Sequence, residues 1–202
     1  MMNDRACIEE IHEFWFGPLD QHGFPSGQQQ RVWFTASDAT DATIRLRFTS
    51  LVRPALGGEL DHWPELDRGA VALLLLLDQF TRNIFRGSTQ AFAGDDRALA
   101  LARRVIKGGG EQSWPVIHRV FLYLPFEHAE DLSAQEQGVA LFDQLLQDCP
   151  PAIREQVAEF RQYSVAHRDV IARFGRFPHR NAILNRTSSA AELAHLQVHG
   201  GF

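Results

Sequence analysis

The sequence predicts an all-α protein, and three of its features lead to that prediction. Apolar residues recur at spacings of three and four through most of the chain. Breaks that contain glycine and proline separate these segments, and no segment shows the sustained alternation that is typical of a strand. Short connections between amphipathic helices favour antiparallel hairpins stacked into one bundle or a short solenoid. We expect about eight or nine helices in one all-helical domain covering residues 1–202.

The first two predicted helices are separated by a polar loop. Asn3 can cap a first helix whose apolar residues share one face. A stretch rich in glycine and glutamine follows over residues 19–31 and predicts a loop. The second helix begins at Ser37 or Asp38 and stops at residues 57–58, which are both glycine.

The third predicted helix, over residues 67–85, should be the central one. It is apolar on all sides between residues 70 and 77, as expected of a helix surrounded by others. This is the longest apolar run of the chain, and it is far shorter than the ~18 residues that a membrane span requires. We therefore expect no membrane-spanning segment.

The second half of the chain contains further helices with recognisable ends. One helix is predicted over residues 95–107, and the next runs from Pro115 to a bend at Pro125. A third begins at a capping box of Ser133 with Glu136. A long helix runs from the break at Pro150 and Pro151 to Phe174, and the last begins at a capping box of Ser189 with Glu192.

Composition narrows the class of protein. The formal net charge is −5, with 25 acidic residues against 20 lysines and arginines, which argues against binding to nucleic acid. The two cysteines, Cys7 and Cys149, are far apart and form neither a disulfide framework nor zinc-finger spacing. Reduced thiols predict a cytoplasmic protein. The sequence leaves the oligomeric state open.

A first polar cluster follows the apolar run of the central helix: Asp78, Gln79, Arg82, Asn83 and Arg86. Asp78 and Arg82 are four residues apart, so they share a face and can pair. Charges on a buried helix cost several kcal/mol each unless they are paired. The cluster is either a network of salt bridges between helices or the polar wall of a pocket.

A second cluster comprises Glu127, His128, Glu130 and Asp131. Carboxylates beside a histidine can bind a divalent metal or perform acid–base chemistry. The spacing matches neither HExxH nor paired ExxH motifs, so the sequence gives little support to a metal site.

A third group lies at the end of the long helix. His167 falls on the apolar face of that helix, and Arg176, His179, Arg180 and Asn181 follow within the segment FGRFPHRN. Pro178 and the two phenylalanines predict an ordered turn after Gly175 rather than a flexible tail. The arginines either neutralise buried acids and helix carbonyls or hold a carboxylate or phosphate.

Four ordered motifs resemble the bacterial family called domain of unknown function 924 (DUF924). They read LLLDQFTRNIFRGS, AFAGDDRALALA, FLYLPFEHAED and FGRFPHRNAILNR, with FWFGP near the start. The resemblance spans nearly the whole chain. It implies an all-helical fold similar to tetratricopeptide-repeat arrays, and it implies no established activity.

Carried over position by position, the resemblance implies a polar signature in this chain. Its members are Asp78, Gln79, Arg82, Asn83, Arg86, Asp95, Glu127, His128, Glu130, Asp131, His167, Arg176, His179, Arg180 and Asn181. The chain departs from the family at Thr81, Ala129 and Asn185, where proline, serine and glycine are usual. Without a serine at position 129, a nucleophilic serine in that motif is not expected.

The sequence supports three hypotheses of function. The first is a pocket that binds a small phosphate- or carboxylate-bearing ligand, with His128, His167 or His179 as acid or base and no cofactor. The second is a helical scaffold that binds a protein or peptide in a groove, with the polar clusters as a structural network. The third is a metal-dependent hydrolase.

Overall fold

The structure, a computed structural model, describes residues 3–34 and 37–200 of the chain. Its α-helices are α1 (Asp4–Trp15), α2 (Gly27–Phe34), α3 (Asp38–Gly57), α4 (Gly69–Leu74), α5 (Thr81–Ile84), α6 (Asp95–Gly108), α7 (Val116–His128), α8 (Leu132–Asp148), α9 (Arg154–Phe174) and α10 (Ala190–His199). Across these ranges the only strand-like pairing is an isolated bridge between Leu19 and Pro25, so the predicted all-α class is confirmed. None of the described helices combines the length and apolarity needed to cross a bilayer.

One buried helix runs through the middle of the fold. The π-helical segment Leu75–Phe80 joins α4 to α5, and the three form the continuous stretch that we call the central helix. Every side chain from residue 70 to residue 81 is buried, as the apolar run predicted. A π-helical segment inside an α-helix is rare and often marks a functional site. Asp78 and Gln79 lie within this one.

Aromatic side chains hold the central helix against its neighbours. Phe80 packs against Trp15 of α1, with 5.3 Å between ring centres, and against Phe48 of α3, with 4.7 Å. Trp15 in turn lies 5.8 Å from Phe121 of α7. Burying each of these rings stabilises the fold by roughly 1.5–3 kcal/mol. The central helix is therefore fixed by apolar packing before its polar groups are considered.

Gly94 allows α6 to begin against the central helix. A Cβ atom at position 94 would lie 2.1 Å from the carbonyl oxygen of Leu77, so any larger residue would push the two helices apart. Asp95, the first residue of α6, is thereby placed within hydrogen-bonding distance of Arg82.

The predicted loop over residues 19–31 is wrong in its last part, because α2 already begins at Gly27. Two side chains of α2 donate hydrogen bonds to the carbonyl oxygen of Trp15: Gln29 at 3.1 Å and Trp33 at 2.8 Å. A short helix of this kind is stabilised by tertiary contacts rather than by its own propensity, and its polar composition therefore concealed it.

The predicted capping box of α8 was also wrong. Asp131 is the N-cap, and its Oδ1 accepts a hydrogen bond from the backbone N–H of Ala134 at 2.7 Å. The helix consequently begins at Leu132, ahead of Ser133 and Glu136. Aspartate caps as well as serine does, and here it comes first along the chain.

Pro125 does not end the helix, in contrast to the bend predicted there. It lies inside α7, which continues to His128. A proline removes one backbone donor, but here the helix continues past it, so Glu127 and His128 extend from a helix and not from a turn. Two predicted helix boundaries are confirmed. α9 ends at Gly175, which lies in the left-handed region, and α10 begins at the capping box of Ser189 with Glu192.

Ion pairs fasten the segment after α9 to the rest of the fold. Glu130 accepts two hydrogen bonds from Arg186, at 2.6 and 2.9 Å, and a third from the backbone N–H of Phe177 at 2.7 Å. Arg176 makes a two-pronged pair with Glu192 of α10, at 2.7 and 2.9 Å.

Asn181 joins the two pairs, since it accepts a hydrogen bond from Arg186 at 2.9 Å and donates one to Glu192 at 3.3 Å. We call Glu130, Arg176, Asn181, Arg186 and Glu192 the C-terminal clamp. It gives the FGRFPHRN segment the fixed conformation that the sequence predicted.

Two buried histidines do not belong to the predicted polar clusters. The rings of His12 on α1 and His118 on α7 lie 4.9 Å apart, and the side chains are 0% and 5% exposed. Nε2 of His12 lies 3.0 Å from the carbonyl oxygen of Arg68 and must donate to it. Burial lowers the pKa of His12 to about 4 and that of His118 to about 3.

We expect His118→Phe to flatten the dependence of stability on pH. Because the folded state binds these protons less readily than the unfolded state, the free energy of unfolding falls as the pH drops below 6.5 toward 4. Loss of one such group should reduce that slope by up to about 1.4 kcal/mol per pH unit. Urea unfolding at several pH values measures the slope. His22→Phe, in a surface loop, is the control, and an unchanged slope in His118→Phe contradicts the assignment.

We expect Glu130→Gln to loosen the C-terminal clamp. The amide keeps the shape of the side chain but loses the charge that holds Arg186, which should cost about 2 kcal/mol. Hydrogen exchange of the backbone amides between residues 176 and 192 should accelerate in this variant, whereas exposed Glu159→Gln should leave it unchanged. If these amides exchange as slowly in Glu130→Gln as in wild type, the clamp does not hold the segment.

Candidate functional site

Asp78 and His128 form a buried carboxylate–imidazole pair. Nδ1 of His128, at the end of α7, lies 2.7 Å from Oδ1 of Asp78 on the central helix. A carboxylate only accepts hydrogen bonds, so Nδ1 carries the proton and Nε2 presents a lone pair. The side chain of Asp78 is 2% exposed and that of His128 is 18% exposed. The carboxylate is therefore internal, and the imidazole is reached from outside.

The surroundings fix the protonation of this pair. Burial alone would raise the pKa of Asp78, but His128 and Arg82 reverse this effect and hold it well below its usual range. Gln79 adds a hydrogen bond to the second carboxylate oxygen at 2.6 Å. Burial, together with the charge of Arg82, lowers the pKa of His128. At neutral pH an ionised Asp78 thus accepts a hydrogen bond from a neutral imidazole.

Asp95 bridges two arginines beside this pair. Nη2 of Arg82 donates to Asp95 at 2.8 Å and to Asp78 at 3.3 Å, so the predicted pairing of Asp78 with Arg82 is present. Nη1 of Arg180 donates to Asp95 at 3.4 Å, and its Nη2 donates to the carbonyl oxygen of His128 at 3.0 Å. Helices α5, α6 and α7 and the turn after α9 therefore meet at one place.

The two guanidinium groups also share an aromatic ring. The guanidinium carbon of Arg180 lies 4.7 Å from the ring centre of Phe92 and 4.5 Å from that of Phe177, and that of Arg82 lies 5.5 Å from Phe92. Burial and the charge of Arg82 lower the pKa of Arg180 to about 10. The Nε atoms of both arginines are buried, and neither has a hydrogen-bond partner among the described residues. Both cations thus keep donor capacity that the described chain does not use.

A second carboxylate and imidazole lie next to the first. Oε2 of Glu127 is 3.5 Å from Nδ1 of His167 on α9, and that Nδ1 also lies 2.8 Å from the carbonyl oxygen of Tyr163. The rings of His128 and His167 are 6.4 Å apart. Burial, with the charge of Asp78, raises the pKa of Glu127 well above its usual value, and burial lowers that of His167 to about 3. Glu127 therefore holds its proton to a higher pH than an ordinary glutamate does.

His179 lies near the same arginines. Burial, followed by the charges of Arg180 and Arg82, lowers its pKa to about 4, and its ring is 5.5 Å from that of Phe177. We call the residues that the structure brings together the polar centre: Asp78, Gln79, Arg82, Asp95, Glu127, His128, His167, His179 and Arg180.

Five residues of the sequence-predicted site have other partners. Asn83 and Arg86 both donate to Asp41 of α3, at 2.8 and 2.9 Å. Asp131 caps α8, and Arg176 and Asn181 belong to the C-terminal clamp. The structure therefore divides the predicted set between the polar centre and contacts that join elements of the fold.

Several residues that form the polar centre or the C-terminal clamp were absent from the sequence-predicted site. Asp95 entered only through the family resemblance, and its position directly after Gly94 gives no signal of a contact with Arg180. Phe92 resembles an ordinary core residue in the sequence. Arg186 and Glu192, both essential to the C-terminal clamp, are separated from their partners by loops whose path no local pattern reveals.

Two further features of the structure concern the hypotheses of a metal-dependent hydrolase and of a helical scaffold. Among the described residues, no group of three or more His, Cys, Asp or Glu side chains is arranged to hold a metal ion. A cleft of about 410 Å³ lies between α6 and α8, with Ile106, Phe126 and Leu141 in it and Arg103 and Lys107 beside them. An apolar groove of this kind is the feature that the scaffold hypothesis requires, and that hypothesis stays a prediction.

Comparison with known proteins places the chain in a family. The family model described as "Bacterial protein of unknown function (DUF924)" matches residues 11–200. A solved structure of a protein of unknown function from Agrobacterium tumefaciens is similar, with a TM-score of 0.81 and 35% identity over 97% of this chain and 99% of that one. No curated protein matches. The chain therefore belongs to the DUF924 family of bacterial proteins of unknown function.

Proposed function

We propose that the polar centre binds a small carboxylate- or phosphate-bearing ligand and transfers a proton to or from it. The hydrogen bond between Asp78 and His128 carries the proposal. It fixes the tautomer of the imidazole and leaves Nε2 as the atom that would exchange a proton with a ligand. The adjacent arginines supply the chemistry that would recognise an anion.

Anion binding is supported by what Arg82 and Arg180 leave unused. Two cations that share one carboxylate, Asp95, and one ring, Phe92, repel each other inside a buried cluster. An additional anion between or beside them would reduce that repulsion and use their free donors. Asn83 and Arg86 would take no part, since Asp41 already engages them.

Acid–base chemistry is supported by the contrast between two carboxyl groups. The charges of His128 and Arg82 and the hydrogen bonds to Asp78 lower the pKa of its carboxyl group, whereas burial and the charge of Asp78 raise the pKa of Glu127. Neighbouring acids whose pKa values are displaced in opposite directions are typical of sites that use one base and one acid. His128 would act as the base, stabilised by Asp78 once it gains a proton. Glu127, whose pKa is raised, would act as the acid.

We expect Arg82→Lys and Arg180→Lys each to weaken ligand binding about tenfold or more, because lysine keeps the charge but loses the fork of donors. The measurement is thermal unfolding of dialysed protein with inorganic phosphate and with a panel of small mono- and dicarboxylates and phosphate esters. For wild type, a ligand at a hundredfold excess over its dissociation constant should add about 2.7 kcal/mol of stability.

Arg161→Lys is the matched control, since Arg161 pairs with Asp143 between α8 and α9 and, within the described ranges, has no hydrogen bond or ion pair with the polar centre. Two results contradict the proposal. One is that no anion of the panel stabilises wild type at millimolar concentration. The other is that Arg161→Lys weakens binding as much as the two variants in the centre do.

A further inference from the structure

A separate cavity of about 310 Å³ lies between α9 and α10. Its volume is at the lower end of the range found for small-molecule sites, which is roughly 300–1,000 Å³. Val170, Phe174 and Leu196 provide apolar walls, and Pro178 and His179 close one side. The cavity is therefore outside the polar centre and shares only His179 with it.

Aromatic rings dominate one wall of this cavity. The ring centres of Phe174 and His195 are 5.2 Å apart, and those of His195 and His199 are 4.6 Å apart with an angle of 34° between the planes. Both pairs are tilted, the first by 58°, and together they form an aromatic surface against which a flat ring could pack. Nδ1 of His195 is buried and has no hydrogen-bond partner among the described residues.

The charges around the cavity favour an anion. Arg173 lies on its rim with its guanidinium carbon 4.7 Å from the ring centre of Phe174, and within the described chain it has no carboxylate partner. The acid on the rim, Asp169, is already paired with Arg168 at 2.6 Å. One uncompensated cation thus faces a cavity lined by rings.

We propose that this cavity binds a planar aromatic or heteroaromatic acid. The ring of the ligand would pack against Phe174 and His195, and its carboxylate or phosphate would pair with Arg173. This assignment does not depend on the function proposed for the polar centre, because it rests on different residues.

The test is a titration of the full chain with benzoate, followed through the imidazole C–H resonances in NMR spectra. Acetate is the control without a ring, and benzamide is the control without a charge. We expect benzoate to shift the resonances of His195 and His199 saturably. Acetate should produce no saturable shift there, and benzamide should bind more weakly than benzoate.

Two substitutions separate the contributions of charge and ring. Arg173→Met should weaken benzoate about fivefold, the effect of removing one solvent-exposed ion pair. His195→Leu should weaken benzoate and benzamide alike because the stacking surface is lost. Arg104→Met, at an exposed position of α6, should leave both affinities at the wild-type value.

The proposal would be overturned by the absence of a saturable shift at His195 or His199 up to the solubility limit of benzoate, by equal shifts with acetate, or by an affinity that Arg173→Met leaves unchanged. Shifts at His128 in place of His195 would also overturn it, since they would put the aromatic acid in the polar centre. If phosphate causes no saturable shift at His128 while benzoate still binds at His195, only the function proposed for the polar centre is rejected.

Discussion

The burial of one negative charge, on Asp78, is the constraint that the rest of this structure depends on. An ionised carboxylate at 2% exposure costs several kcal/mol unless donors surround it. Its donors come from Gln79 and Arg82 on the same helix and from His128 on α7. Arg82 in turn engages Asp95 at the start of α6. Helices distant in sequence are therefore joined through a single side chain.

A structural network and a functional pocket are not exclusive interpretations of this cluster. Neutralising Asp78 uses one nitrogen of His128 and one of Arg82, and it leaves the remaining nitrogens of both side chains for other partners. The contacts that hold the helices together also set the tautomer of the imidazole and the position of the guanidinium. Under the proposed function, rigidity and reactivity arise from the same hydrogen bonds.

Local patterns in the sequence predicted those features that depend on local physics. The apolar run identified the central helix, the spacing of Asp78 and Arg82 predicted their pair, and Gly175 marked the end of α9. Long-range partners were beyond such patterns. The contact between Asp78 and His128 spans 50 residues, and the engagement of Arg86 by Asp41 spans 45, so both depend on how the helices pack. The π-helical turn likewise has no signature in residue type.

The tautomer and titration of His128 test the account most directly. Nitrogen-15 chemical shifts of the imidazole should show a neutral ring protonated at Nδ1 at pH 7, with a pKa below the ordinary 6.5. In Asp78→Asn the amide can donate to Nδ1, so the proton should move to Nε2 and the pKa should fall further. A wild-type ring protonated at Nε2, or one whose tautomer is the same in Asp78→Asn, would contradict the claim that Asp78 sets the chemistry of this centre.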